Sequence, residues 1–90
     1  MSRFPSEVAA LSAWCVGFVA DMLERSASDI DPDAKFTRIG FDSAMSVQLA
    51  MALEERLGIQ IGPDVIADHP TISRLAAYLV ASCAERSQQA

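Results

Sequence analysis

Fifteen alanines are spread through a chain of ninety residues, and Val, Ile and Thr never gather into an alternating run. Alanine has the best helix propensity, and without a two-residue hydrophobic period no sheet face can be assembled, so helix is the default state of this chain. Ninety residues leave room for one core and none for a second. With 51% apolar and 21% charged residues there is enough surface to bury, far from the compositions that stay disordered.

The apolar residues space out as helices. Val8, Leu11, Cys15, Phe18, Val19 and Met22 recur at three- and four-residue steps and predict a first helix from Ser6 to Arg25, with Ser6 as N-cap and Gly17 as a mild weakness. A second helix is predicted from Ser43 to Leu57, ended by Gly58 as a left-handed residue. Ser46, Leu49, Ala50, Leu53 and Leu57 share its inward face, whereas Ala44, Val47, Gln48, Met51 and Glu55 lie on the opposite side. After Ile59 and Ile61, Gly62-Pro63 opens a helix of one or two turns that ends at Asp68-His69-Pro70. Thr71 then caps a last helix whose apolar face is Ile72, Leu75, Ala76, Leu79, Val80 and Cys83. The expected architecture is three long helices and one short one over residues 6–84, with short tails at 1–5 and 85–90.

Residues 26–42 have no helical period. A loop this long in a small domain is usually functional or disordered, and Ile30, Phe36, Ile39 and Phe41 predict an ordered one pinned to the core. It also carries much of the charge. The net charge is −5, but residues 21–68 alone sum to −6 and the remainder to +1, so the middle of the chain is the candidate contact region. An acidic balance argues against a nucleic-acid partner, since backbone phosphates are bound by Lys and Arg. Basic proteins or small molecules fit better. No targeting sequence and no apolar run of about 18 residues is present, which leads to the expectation of a cytoplasmic domain without a membrane partner. Cys15 and Cys83 lie far apart in helical runs, and read as small buried hydrophobes in a reducing compartment.

Candidate chemistry is sparse. Asp29, Asp31 and Asp33 imitate the first positions of a calcium loop, but Ala34 stands where glycine is needed and Gly40 where a bidentate glutamate is needed, which leaves a solvated acidic loop and no metal site. Ser43 lacks the G-x-S-x-G elbow, and the single histidine, His69, reads as a helix-boundary residue, so no catalytic residue is assigned. Gly40-Phe41-Asp42-Ser43 is the informative stretch. It places a serine hydroxyl at a helix start, beside free N–H groups and the positive end of the dipole, where a phosphate would be favoured. Local physics leaves two readings: Ser43 or Asp42 only caps the helix, the commoner role, or Ser43 is modified.

Taken together, Phe36-x-x-Ile39-Gly40-Phe41-Asp42-Ser43, Val47-x-Leu49-x-x-x-Leu53-Glu54-Glu55-x-Leu57-Gly58 and Asp68-His69-Pro70-Thr71-Ile72-x-x-Leu75-Ala76-x-Tyr78-Leu79 resemble the acyl carrier protein family. The match runs in register over residues 36–79, and the first helix with Trp14 is family-like too. The resemblance implies an all-α four-helix bundle of acyl carrier type, with 4′-phosphopantetheine from coenzyme A attached to Ser43 by a phosphopantetheinyl transferase and Asp42 flanking it. Its terminal thiol would carry acyl groups as thioesters. The family's recognition helix corresponds to residues 43–57, which makes Ala44, Val47, Gln48, Met51, Glu54 and Glu55 the expected partner surface. Implied partners are an acyltransferase or acyl-AMP ligase, a ketosynthase and a thioesterase, acting on a monomeric carrier that does no chemistry alone.

This chain has Ala44 where many relatives have leucine, and Met45 and Gln48 where fatty-acid carriers often have carboxylates. Gly-x-Asp-Ser and Asp-His-Pro-Thr look most like polyketide synthase carriers, although Ala67 replaces the phenylalanine that often precedes that second segment. The resemblance therefore points to polyketide or related secondary metabolism. A peptidyl or aminoacyl carrier of a nonribosomal synthetase, a fatty-acid carrier, and a helical adaptor without a prosthetic group are the alternatives.

Overall fold

The computed structural model describes residues 4–89, with side chains for residues 7–84. Four helices follow one another: α1 (Phe4–Leu23), α2 (Ser43–Leu57), α3 (Pro63–Asp68) and α4 (Ile72–Gln89). No strand occurs among the described residues, and the one bridge pairs Lys35 with Thr71. The all-α, three-long-one-short architecture is as expected.

The helices differ from expectation at both ends of α1, which stops at Leu23 and not Arg25, and at the end of α4. α1 begins at Phe4, so Ser6 lies inside it and is not its N-cap; Pro5 falls in the first turn, where a missing N–H costs nothing. At the other end Glu24 adopts a left-handed φ of 56°, Arg25 N–H bonds to the Ala20 carbonyl at 2.9 Å, and Glu24 N–H reaches that of Asp21 at 3.3 Å. This is a Schellman termination with a glutamate in the position usually held by glycine. α4 extends to Gln89, through residues expected to form a tail. Residues 1–3 and 90 of the expected tails lie outside the described residues.

One core joins the helices. Leu11, Cys15, Val19 and Ala20 of α1 meet Leu49, Ala50 and Leu53 of α2, Ile66 of α3, and Ile72, Leu75, Ala76, Leu79 and Val80 of α4. Leu49, Leu53, Ile72 and Leu75 are wholly excluded from solvent. Cutting one such leucine to alanine costs about 2–5 kcal/mol, a large share of what a domain of this size has to lose. Of the two cysteines, Cys15 is buried as expected and Cys83 is only half-buried. Outside the core, Trp14 stacks on Phe18 at 5.5 Å and the Arg56 guanidinium sits 5.2 Å from the indole, linking α2 to α1 by a cation–π contact.

The long loop is ordered by its hydrophobes. Ile30, Phe36 and Phe41 are buried, Ile39 is partly so, and the rings of Phe36 and Phe41 lie 5.2 Å apart. Backbone bonds fasten it to the start of α4: Phe36 N–H donates to Pro70 O at 2.8 Å and Ser73 N–H to Pro32 O at 3.0 Å. A single 3₁₀ turn at Ala27–Asp29, which no sequence period announces, begins the loop.

Candidate functional site

The loop delivers the chain to α2 through a tight corner. Gly40 has φ 88°, a value that an L side chain resists, and Phe41 N–H closes on the Phe36 carbonyl at 2.9 Å. Phe41 is thereby buried, and the next two residues emerge at the surface. Asp42 is the N-cap, its Oδ1 accepting the Met45 N–H at 2.9 Å. Such a cap contributes about 1 kcal/mol, and its negative charge complements the helix dipole. Ser46 adds a hydroxyl bond to the Asp42 carbonyl at 3.0 Å. The question left open by the sequence resolves into a division of labour: Asp42 caps, and Ser43 is the first helical residue, exposed.

Ser43 stands on the rim of a cavity of about 630 Å³ between α2, α3 and the end of the loop. Phe36, Phe41, Val47, Ile66, Ala67 and Pro70 give it apolar walls, with Lys35, Asp42 and Asp64 as the charged groups of its lining. That volume falls within the range of about 300–1,000 Å³ typical of small-molecule sites. An exposed hydroxyl, the positive end of a helix and an apolar recess side by side fit a phosphate-linked arm with an apolar load.

The same geometry does not fit a hydrolase. Asp42 Oδ1 is taken by the cap, and His69 is outside the cavity lining, so no base is placed against Ser43 there. His69 Nδ1 lies 2.7 Å from the Val65 carbonyl, which can only accept, so Nδ1 is the donor. Its ring stacks on Tyr78 at 4.2 Å. His69 thus ties the end of α3 to α4, as a helix-boundary residue would.

The expected partner surface divides in the same way. Ala44, Val47, Gln48, Met51 and Glu55 are exposed along α2, with Val47 at 42% and Met51 at 63%, unusually open for large hydrophobes. Glu54 does not join them. It is half-buried, and its Oε2 accepts the Ile61 N–H at 2.8 Å. In the long loop Asp29, Asp31 and Asp33 share a groove with Arg25, Lys35 and Arg38, so its acids are locally balanced. Among the described residues no group of His, Cys, Asp and Glu is placed to hold a metal ion, and no helix is long and apolar enough to cross a membrane.

Residues 16–79 match the family described as the phosphopantetheine attachment site. The chain belongs to that family. Its members carry 4′-phosphopantetheine covalently, and the domain is a carrier. Among curated relatives, it is 40% identical over 65 residues to a phenolphthiocerol synthesis polyketide synthase type I of Mycobacterium bovis, covering 72% of this chain and 3% of that protein. It is 36% identical over 69 residues to the 6-methylsalicylic acid synthase of Penicillium patulum, covering 77% and 4%. The chain therefore spans only a few per cent of the length of these synthases. Among solved structures, a free-standing peptidyl carrier protein of Acinetobacter baumannii superposes with a TM-score of 0.82 at 36% identity, covering 84% of this chain and 95% of that one. A carrier domain of the CurA module of Lyngbya majuscula, at 20% identity and a TM-score of 0.80 over 89% and 81%, shares the fold.

Proposed function

We propose that Ser43 is the residue that bears the phosphopantetheine arm, and that the domain carries acyl intermediates of a polyketide-type pathway. The observation that carries this reading is the exposed Ser43 hydroxyl at the first position of α2, on the rim of the apolar cavity. When bound, the arm supplies a thiol for thioester chemistry. The chain's own residues do the rest: Asp42 holds the helix start, Gly40 and Phe41 aim it outward, and Phe36, Val47 and Ile66 offer the acyl group a wall away from water. A tethered substrate is presented to each partner at high effective concentration.

Partners meet the face of α2 made by Ala44, Val47, Gln48, Met51 and Glu55. They are the phosphopantetheinyl transferase, then the enzymes that load, extend and release the chain; catalysis is theirs, and the carrier works in the cytoplasm. Two synthase relatives support the polyketide assignment. Likeness to a free-standing peptidyl carrier supports an aminoacyl cargo as the second reading. Incubation with coenzyme A and a broad-specificity transferase is expected to add one phosphopantetheine to the wild type and none to Ser43→Ala. Absence of a mass gain in the wild type refutes the attachment, and a partner that binds tightly whether or not Ser43 is present supports a bare adaptor instead. The two cargo readings separate by whether an acyltransferase or an aminoacyl-adenylate-forming enzyme loads the arm.

A further inference from the structure

α3 is the thin wall of the cavity. It has six residues, and only Ile66 is fully buried, so its own packing gives it little purchase. Two side-chain contacts, an aromatic stack and a hydrogen bond, tie down its two ends. At its C-terminal end His69 bonds back to Val65 and stacks on Tyr78. Before its N-terminal end, Glu54 reaches from the last turns of α2 across seven residues to the Ile61 N–H at 2.8 Å, in a part-buried setting. Ile61 itself is buried, so its N–H has few ways to be satisfied by water.

We propose that Glu54 is a positioning residue that sets the aperture between α2 and α3, and so how far an acyl chain on Ser43 is sheltered. This rests on the reading of Ser43 and its cavity given above. It sets Glu54 apart from the exposed docking face, since Glu54 is half-buried and one of its oxygens is taken by the Ile61 N–H. The adjacent Glu55, which is exposed, keeps that role. The connection is mechanical: Ile61 leads through Gly62 into Pro63, the first residue of α3, and both Pro63 and Ile66 line the cavity. Only Gly62 separates Ile61 from Pro63, so a displacement at Ile61 is passed to α3 through the covalent chain.

The test compares Glu54→Ala, which loses the acceptor, with Glu54→Gln, which loses the charge and keeps it. Amide hydrogen exchange of Ile61 and of residues 65–68 is measured on the chain without its arm. Cleavage of an octanoyl thioester by hydroxylamine is then measured on the loaded chain. Glu54→Ala is expected to speed exchange about ten- to a hundredfold, the range for loss of a charge-assisted bond, and to speed cleavage several-fold. Glu54→Gln, which keeps an acceptor but loses the charge, is expected to fall between wild type and Glu54→Ala in both. If Glu54→Ala does not fold, Glu54→Met, similar in length and with only a weakly accepting sulfur, replaces it. Equal behaviour of the Gln and Ala variants, or unchanged exchange at Ile61, would overturn the role of Glu54. If the wild-type thioester is cleaved as fast as free octanoyl-pantetheine, the cavity gives no shelter and the proposal also falls. The exchange arm needs no prosthetic group, so the two failures are told apart.

Discussion

Cys15 is fully buried in the middle of α1, and burial pushes its thiol up to about 12 while the Arg56 guanidinium pulls the other way. In the unfolded chain the group reverts toward its ordinary value of 9.0. Between those values the unfolded state has lost the proton and the folded state keeps it, so stability is intact below pH 9 and falls as pH rises toward 12. The contribution of this one group is a slope of about 1.4 kcal/mol per pH unit. Urea midpoints at pH 8 and 10.5 should show a fall that Cys15→Ala makes shallower; an equal fall in the variant would mean that Cys15 does not titrate as described. Burial of Cys15 was legible because it sits on an apolar stripe. The task of Glu54 was not, because its partner is a backbone N–H brought near only after the chain has turned at Gly58. The pairing of His69 with Tyr78 was hidden for the same reason.

The helices were legible where both ends carry local signals. α2 runs from Ser43 to Leu57 as expected, since Asp42 caps it and Gly58, at φ 71°, ends it. α1 and α4 were misjudged at the ends where signals compete. A cap-type serine follows a proline that a first turn tolerates, and the polar run after Cys83 contains Glu, Arg and Gln, good helix formers whose lack of an apolar period does not stop a helix. Two positions, one in α1 and one just past its end, are open to improvement. A Cβ on Gly17 would meet no atom within 4 Å, so Gly17→Ala should stabilise the domain by about 0.5–1 kcal/mol. Glu24→Gly should relieve the left-handed strain and raise the melting temperature as well, by a few degrees. Gly58→Ala should do the reverse, by about 1 kcal/mol. Chemical denaturation of the three variants checks the signs, and a destabilising Gly17→Ala would show that α1 is more crowded there than described.

As a whole, the molecule is a small acidic bundle whose charge is less concentrated than its sequence implies. The excess of −6 in residues 21–68 was expected to mark the docking surface, but three acids of the long loop share a groove with three cations and Glu54 is held internally. What remains around Ser43 is the apolar strip of α2 with Glu55 towards its far end, and Asp42, Asp64 and Lys35 at the cavity. Encounter with a partner should accordingly depend moderately on salt: Glu55→Lys is expected to slow association with a basic-faced partner severalfold at low ionic strength and little at high. Met51→Lys should weaken the complex while leaving helicity and thermal stability near wild type, since Met51 is 63% exposed. Loss of helicity would instead assign Met51 to the core. Fold and family were readable because they rest on short-range spacing and an unbroken motif, whereas the shape of the cavity depends on how α3 is held. The central claim concerns one hydroxyl, and Ser46, three residues on, also lines the cavity and is the natural competitor. Fragmentation mass spectrometry of the chain after loading from coenzyme A decides between them. All of the added mass is expected on Ser43, and mass on Ser46 or on any other side chain would contradict that assignment.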